Sequence, residues 1–243
     1  MPTGPKGIIL AAGRGKRMGA STDEMPKCLL TVGGRRLLDW QLDSMRAGGI
    51  TEIAIVTGYR SELIANEDVS IFHNNEWKTS DMVSSLACAT EWLSVSTCLV
   101  SYSDIFYQST AIEALRASTA DLAVTYDPNW LALWSQRFVD PLADAESFRL
   151  DNEGFLTEIG RSADSVHVIQ GQYMGLLRFT PVGWRTFEEA TSTFGSEGST
   201  TLHMTAVLQR IVEMNSVRIR AIEYDDPWGE IDSPSDLALF GGG

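Results

Sequence analysis

Apolar residues come in short unbroken runs, separated by longer stretches with helical spacing. Ile8-Ile9-Leu10-Ala11-Ala12 is the first run and reads as a buried strand. Ile53 to Val56, Val69 to Phe72, Thr97 to Val100 and Leu122 to Tyr126 repeat the pattern. Leu38, Leu42 and Met45 recur at helical spacing up to a stop at Gly48-Gly49. Met82, Leu86, Ala89 and Leu93 do the same over Thr79 to Leu93, and a third helix is expected near Thr110 to Ala117. Strands that are apolar throughout are covered on both faces, as in a parallel sheet. The pattern therefore predicts an α/β fold, a mostly parallel sheet flanked by helices.

The second half is less regular. Asp127-Pro128 predicts the start of a short helix, with Asp127 as its cap. Asp151-Asn152-Glu153-Gly154 reads as a hairpin-like turn, and Gln172 to Phe179 as a strand. Helices are expected over Phe187 to Phe194 and Met204 to Met214, and a late strand over Val217 to Ile222. Ser233-Pro234-Ser235-Asp236 resembles a capping box opening a last short helix. Gly241-Gly242-Gly243 reads as a frayed end.

With 243 residues, one large domain over 1–243 is expected, with room for a small subdomain. No apolar run approaches eighteen residues, so no membrane span is expected. The start of the chain has no signal-peptide pattern. Cys28, Cys88 and Cys98 are odd in number and lack metal-ligand spacing, which fits reduced thiols in a cytoplasm. A net charge of −13 argues against nucleic-acid or anionic-membrane partners. Oligomeric state cannot be read.

Against that acidic background, four of the chain's 19 basic residues fall between Arg14 and Lys27, where an even spread would give about one. Gly13, Gly15 and Gly19 lie just past the first strand and let the backbone turn and approach a ligand. Bare N–H groups beside Arg14, Lys16, Arg17 and Lys27 suit a polyphosphate. Met18 stands where a dinucleotide fingerprint needs glycine, and no P-loop pattern is present. Thr57-Gly58-Tyr59 and Asp104 also follow strand ends, where ligands sit in such sheets.

Gly13-x-Gly15-x-Arg17-Met18 followed by Pro26-Lys27 resembles the signature of the sugar-phosphate nucleotidyltransferase family. Tyr102-Ser103-Asp104 and Glu230-Ile231-Asp232-Ser233 resemble its two carboxylate elements. Asn75-x-Trp77 with Thr79 to Leu86 is similar to the cytidylyltransferase branch, which acts on phosphocholine or phosphonates. The resemblance implies a Rossmann-like nucleotidyltransferase fold with a small substrate-lid insertion, here at roughly 127–170. It implies CTP as nucleotide, Mg²⁺ held by Asp104 and Asp232, and catalysis resting on Arg17, Lys27 and Asp104. It places the nucleotide on Leu10, Ala11, Ala12, Gly13, Arg14, Gly15, Lys16, Arg17, Met18, Lys27, Thr57, Gly58, Tyr59, Ser84 and Ser85. A sugar-1-phosphate uridylyl- or thymidylyltransferase shares the first motif and is the alternative. A nucleotide-binding regulator with dead chemistry would lack a carboxylate or the lysine, and Lys27, Asp104 and Asp232 are all present.

For the acceptor, Tyr126, Asp127, Trp130, Arg137, Gln172 and Tyr173 are the expected residues. Trp130, Trp134 and Arg137 share a helical face. Two indoles there suit choline by cation–π attraction. Arg137 on the same face instead favours an anionic acceptor such as a phosphonate acid. In the rival reading both indoles pack in the core under Arg137. His73, His167 and His203 show no ligand spacing, although the resemblance places the His203 segment near the acceptor.

Overall fold

A computed structural model describes residues 4–64, 67–195 and 202–241. Gly242 and Gly243 of the expected frayed end lie outside them. Seven strands form the central sheet. From edge to edge they are Ile219–Glu223, Leu122–Asp127, Gln172–Phe179, Cys98–Tyr102, Lys6–Ala11, Ile53–Thr57 and Ser70–His73. Four of the six pairings are parallel. Gln172–Phe179 runs antiparallel to both of its neighbours. The chain moves outward from Lys6–Ala11 through Ile53–Thr57 to Ser70–His73, then returns to the other side of the first strand at Cys98–Tyr102. Connections on the two sides of Lys6–Ala11 thus leave a crevice at its carboxyl end, the usual ligand position in such sheets.

Helix Leu37–Ala47 buries Leu37, Leu38, Leu42 and Met45. It ends at Gly48-Gly49, where Gly49 takes a φ of 85°. Gly48 lets helix Ser109–Ala117 come close, because a Cβ there would lie 2.5 Å from Ile112. Gln41 makes the helix more than packing. Buried, its Nε2 donates to the carbonyls of Tyr102 and Ile105, each at 2.6 Å, and so ties down the loop carrying Asp104. Beyond that loop, Ile105–Phe106 pairs antiparallel with Gly229–Glu230. Glycine is required at 229: a Cβ would meet the Phe106 ring at 2.6 Å.

Three expectations need correction. The helix expected over Thr79 to Leu93 divides into Met82–Ala87 and Thr90–Leu93. It starts late because Asp81 caps it through the Ser84 N–H at 2.8 Å. Asp127 is not a helix cap. The helix runs Trp130–Arg137, and Asp127 instead accepts from the Asn129 N–H at 2.6 Å and from Trp228 Nε1 at 2.9 Å. The helix expected to begin at Phe187 spans Pro181–Ser192, capped by Thr180 with proline in its first turn. The turn at Asp151 to Gly154 joins two strands that the sequence pattern does not show, Glu146–Leu150 and Leu156–Ser162. Their register is interrupted, which scrambles the alternation a strand normally displays.

One large core cluster fills both faces of the sheet. A smaller one holds Met18, Leu30, Val32, Leu37 and Ile231. Among the described residues, no helix is long and apolar enough to cross a membrane.

Candidate active site

The first strand delivers Ala12 to Gly15 to the crevice. Gly15 takes a φ of 72°, and a Cβ there would lie 3.0 Å from the Lys27 side chain. Glycine therefore serves both the turn and the approach of that lysine. Gly13 has open space around it, leaving that part of the loop free for a ligand. Lys27 follows Pro26 and its side chain is only 8% exposed. Its Nζ donates to Asp104 Oδ2 at 2.8 Å and to Asp232 Oδ1 at 2.5 Å. Arg17 reaches Asp232 Oδ2 at 2.9 Å from a largely exposed position.

Asp104 and Asp232 meet because of the short ladder behind them, where the Ile231 N–H donates to the Asp104 carbonyl at 2.8 Å. Glu230 joins them. Each of Asp104, Glu230 and Asp232 offers a carboxylate oxygen, and these lie within 4.8 Å of one another. Asp104 Oδ1 is buried without a hydrogen-bond partner among the described residues. An oxygen-only donor set with one orphaned oxygen fits a hard divalent cation such as Mg²⁺.

The charges are strongly coupled. Burial disfavours the Lys27 ammonium, but Asp104 and Asp232 outweigh it and hold the proton more firmly than on an ordinary lysine. Burial also opposes ionisation of Asp232, yet Lys27 prevails and keeps that carboxyl below its usual value. Glu230 shifts the other way. Burial, then the charges of Asp232 and Asp104, push its carboxyl up despite Arg137 beside it.

The cleft above these residues has a volume of about 690 Å³. Trp77, Asp81 and Met82 form one wall, and Tyr102 and Tyr173 the floor beyond the lysine. Asp144, Glu146, His203 and Thr205 also line the cleft. Gly175 makes the floor possible, since a Cβ there would meet the Tyr102 ring at 2.6 Å. Asn74 braces the Trp77 side by donating to Ser80 Oγ at 2.8 Å and Ser85 Oγ at 2.9 Å.

Of the residues expected for nucleotide and metal, Leu10, Ala12, Gly13, Gly15, Arg17, Lys27, Ser85, Asp104 and Asp232 line this cleft. Ala11 is buried within the strand, and Met18 anchors the smaller core cluster. Arg14 pairs with Asp23, and Lys16 is exposed. Thr57, Gly58 and Tyr59 lie behind the wall. Tyr59 N–H donates to the Ala12 carbonyl at 2.9 Å, and Gly58 fits where a Cβ would be 2.5 Å from Trp77. Ser84 spends its hydroxyl on Asp81, the helix cap, at 2.8 Å.

The acceptor expectations divide. Gln172 and Tyr173 line the cleft. Tyr126, Asp127, Trp130 and Arg137 do not. Tyr126 stacks on Phe148 with centroids 5.1 Å apart, Asp127 is held by Trp228, and Trp130 is buried in the core. The Arg137 guanidinium is fully buried, bonds Glu230 at 2.8 Å and Asp236 at 2.9 Å, and lies outside the cleft lining. It stacks over Trp134 at 4.7 Å, as the rival reading had it. An apolar helix face beside a strand end is satisfied by core packing, so the periodicity alone did not mark a ligand surface.

Sequence reasoning assigned no role to Asp81, Asp144, Glu146 or Thr205. Asp144 and Glu146 belong to no motif and carried no signal. Glu230 stood inside the quoted carboxylate element, and its alternation with Asp232 was the signal available.

Residues 7–158 match the MobA-like NTP transferase domain. Over 96% of this chain and 97% of the relative, the sequence is 30% identical to the CTP:phosphoglutamine cytidylyltransferase of Campylobacter jejuni. It is 23% identical to the 2-aminoethylphosphonate cytidylyltransferase of Lancefieldella rimae, over 96% of this chain and 90% of that protein. The inositol-1-phosphate CTP transferase of T. maritima shares the fold, with a TM-score of 0.74 and 18% identity over 96% of this chain and 91% of that one. The domain match covers the glycine loop, Lys27 and Asp104, and the likeness runs nearly end to end. This chain belongs to the MobA-like NTP transferase family and is a nucleotidyltransferase.

Proposed function

We propose that this protein is a Mg²⁺-dependent cytidylyltransferase. It transfers CMP from CTP to an oxygen of a small phosphate monoester or phosphonate and releases pyrophosphate. The observation that carries this reading is Lys27 held between Asp104 and Asp232 beside the open glycine loop. The near full-length relation to a CTP:phosphoglutamine cytidylyltransferase supports CTP as the nucleotide.

In the reaction an acceptor oxygen forms a bond to the α-phosphorus of CTP. The bond from that phosphorus to the bridging oxygen breaks, and its electron pair leaves with pyrophosphate. Little covalent help is needed, so positioning and charge neutralisation lower the barrier. Lys27, fixed by two carboxylates, is placed to meet the α-phosphate and the incoming oxygen. Arg17, largely exposed at the loop, is placed for the β- and γ-phosphates. Main-chain N–H groups near Gly13 and Gly15 supply further donors. Asp104, Glu230 and Asp232 would hold Mg²⁺, which when bound would offset the charge developing on the phosphates.

The acceptor belongs on the side of the cleft that carries Asp144 and Glu146. Among the described residues neither forms an ion pair. A phosphoryl or phosphonate acceptor that also carries an ammonium group fits such a wall. Since Arg137 faces elsewhere, the motive for expecting an acid group on the acceptor falls away. Phosphoglutamine and 2-aminoethylphosphonate, named for the relatives, are the first acceptors to try.

The test is pyrophosphate release across four nucleoside triphosphates, with phosphoglutamine, 2-aminoethylphosphonate, phosphocholine and two sugar 1-phosphates as acceptors. CTP with an amine-bearing acceptor is expected to be fastest. Faster turnover of UTP or dTTP with a sugar 1-phosphate overturns the reading.

A further inference from the structure

Arg137 lies outside the cleft, yet it touches the carboxylate cluster from behind. It ends helix Trp130–Arg137, and its side chain has no exposure. One edge of the guanidinium donates to Glu230 Oε2 at 2.8 Å. The other edge donates to Asp236 Oδ1 at 2.9 Å. Asp236 sits in the first turn of helix Pro234–Gly241 and is 3% exposed. Its Oδ2 accepts three bonds at 2.9 Å, from the Asp232 N–H, the Ser233 N–H and the Ser233 hydroxyl.

Two of the three carboxylates are therefore held by one pair. Arg137 fixes the Glu230 side chain directly. Through Asp236 it also fixes the backbone from which the Asp232 side chain projects. The planar fork is what allows both grips at once, and a lysine ammonium can copy only one of them. Trp134 and Phe138 cover the guanidinium with ring centroids at 4.7 and 5.1 Å, so its orientation is set by packing. The arrangement also balances charge. Four carboxylates, at 104, 230, 232 and 236, crowd around the cations of Arg17, Lys27 and Arg137.

We infer that Arg137 and Asp236 form an outer clamp that positions Glu230 and Asp232 for cation binding. They are positioning residues, since neither lines the cleft. The inference rests on the proposed metal role of the carboxylates. Partners that orient ligand side chains from outside typically change metal affinity or activity about 10–100-fold when lost.

The test uses Mn²⁺ as the probe, titrated into the full chain without nucleotide and read by electron paramagnetic resonance. Circular dichroism and thermal melting report folding in parallel. Arg137→Met is expected to remain folded and to weaken Mn²⁺ binding by about tenfold or more. Arg137→Lys is expected to recover part of that loss, by keeping the bond to Glu230. A merely structural role would lower the melting temperature of both variants and leave Mn²⁺ affinity unchanged in the folded fraction. Wild-type Mn²⁺ affinity in folded Arg137→Met overturns the clamp. If Arg137→Met does not fold, Asp236→Asn decides: weakened Mn²⁺ binding supports the clamp and unchanged binding overturns it. Asp104→Asn separates the two levels. Unchanged Mn²⁺ binding in that variant overturns the metal reading itself. Lost binding there with normal binding in Arg137→Met overturns the clamp alone.

Discussion

Lys27 Nζ lies 2.8 Å from Asp104 Oδ2, although the two residues are 77 positions apart in the chain. Neither residue marks a site alone, since a strand-end aspartate often caps a turn and a basic loop residue usually faces water. Held together and buried, they form an ion pair placed at the ligand end of the sheet, with Asp232 closing the other side.

Lys27→Ala should lower kcat for pyrophosphate release by about 10²–10³-fold, the scale of losing one directed electrostatic donor. Arg14→Ala should cost far less, because Arg14 pairs with Asp23 outside the cleft lining. Equal losses in the two variants would contradict this division.

Asp104→Asn and Asp232→Asn should each fold and each reduce turnover at saturating Mg²⁺ by at least roughly 10²-fold. Initial rates over a Mg²⁺ titration check this. A variant with normal turnover removes that residue from the proposed metal site.

Asp144→Asn and Glu146→Gln should raise KM for an amine-bearing acceptor by about tenfold, one lost charge contact, while KM for CTP stays put. Steady-state kinetics with each substrate varied in turn gives both constants. A rise confined to CTP would place those residues against the nucleotide instead.

Trp130→Ala should cost about 3–5 kcal/mol of stability, as for deletion of other buried indoles. The ring is 3% exposed and lines no part of the cleft. Urea unfolding measures the loss, and in the folded fraction the acceptor KM should be unchanged. A raised KM without destabilisation would return Trp130 to the acceptor site.

The three thiols should differ in reactivity. Burial pushes the Cys28 and Cys98 thiols up to about 12, whereas Cys88 is only partly buried and shifts upward less. The thiolate is the reacting form, so raising pH from about 7 to 9 should speed alkylation of Cys88 and leave the other two unmodified. Peptide mapping after iodoacetamide should find one labelled cysteine in the native protein and three after unfolding.

The sequence by itself determined the sheet and its ligand edge. The runs Ile8 to Ala12 and Ile53 to Val56 are apolar at every position and Leu122 to Tyr126 at all but Thr125, and only burial on both faces accounts for that. The glycine loop was equally legible, because Gly13 and Gly15 with Arg17 and Lys27 are local in sequence and their chemistry depends on that local spacing. Gln172 to Phe179 was readable as a strand, but not its antiparallel direction, which depends on where its neighbours lie. The hairpin strands Glu146–Leu150 and Leu156–Ser162 were not readable, since their interrupted register breaks the alternation. Tertiary structure alone decided which way Arg137 points. Its helix spacing with Trp130 and Trp134 was correct, yet a period says only which residues share a face, and what covers that face comes from distant chain. Here it is Glu230 and Asp236, some hundred residues on, so a side chain expected to meet the acceptor meets the carboxylate cluster instead. Asp144 and Glu146 were silent for the same reason: their place in the cleft lining is set by tertiary packing at the start of a hairpin, and no local pattern encodes it.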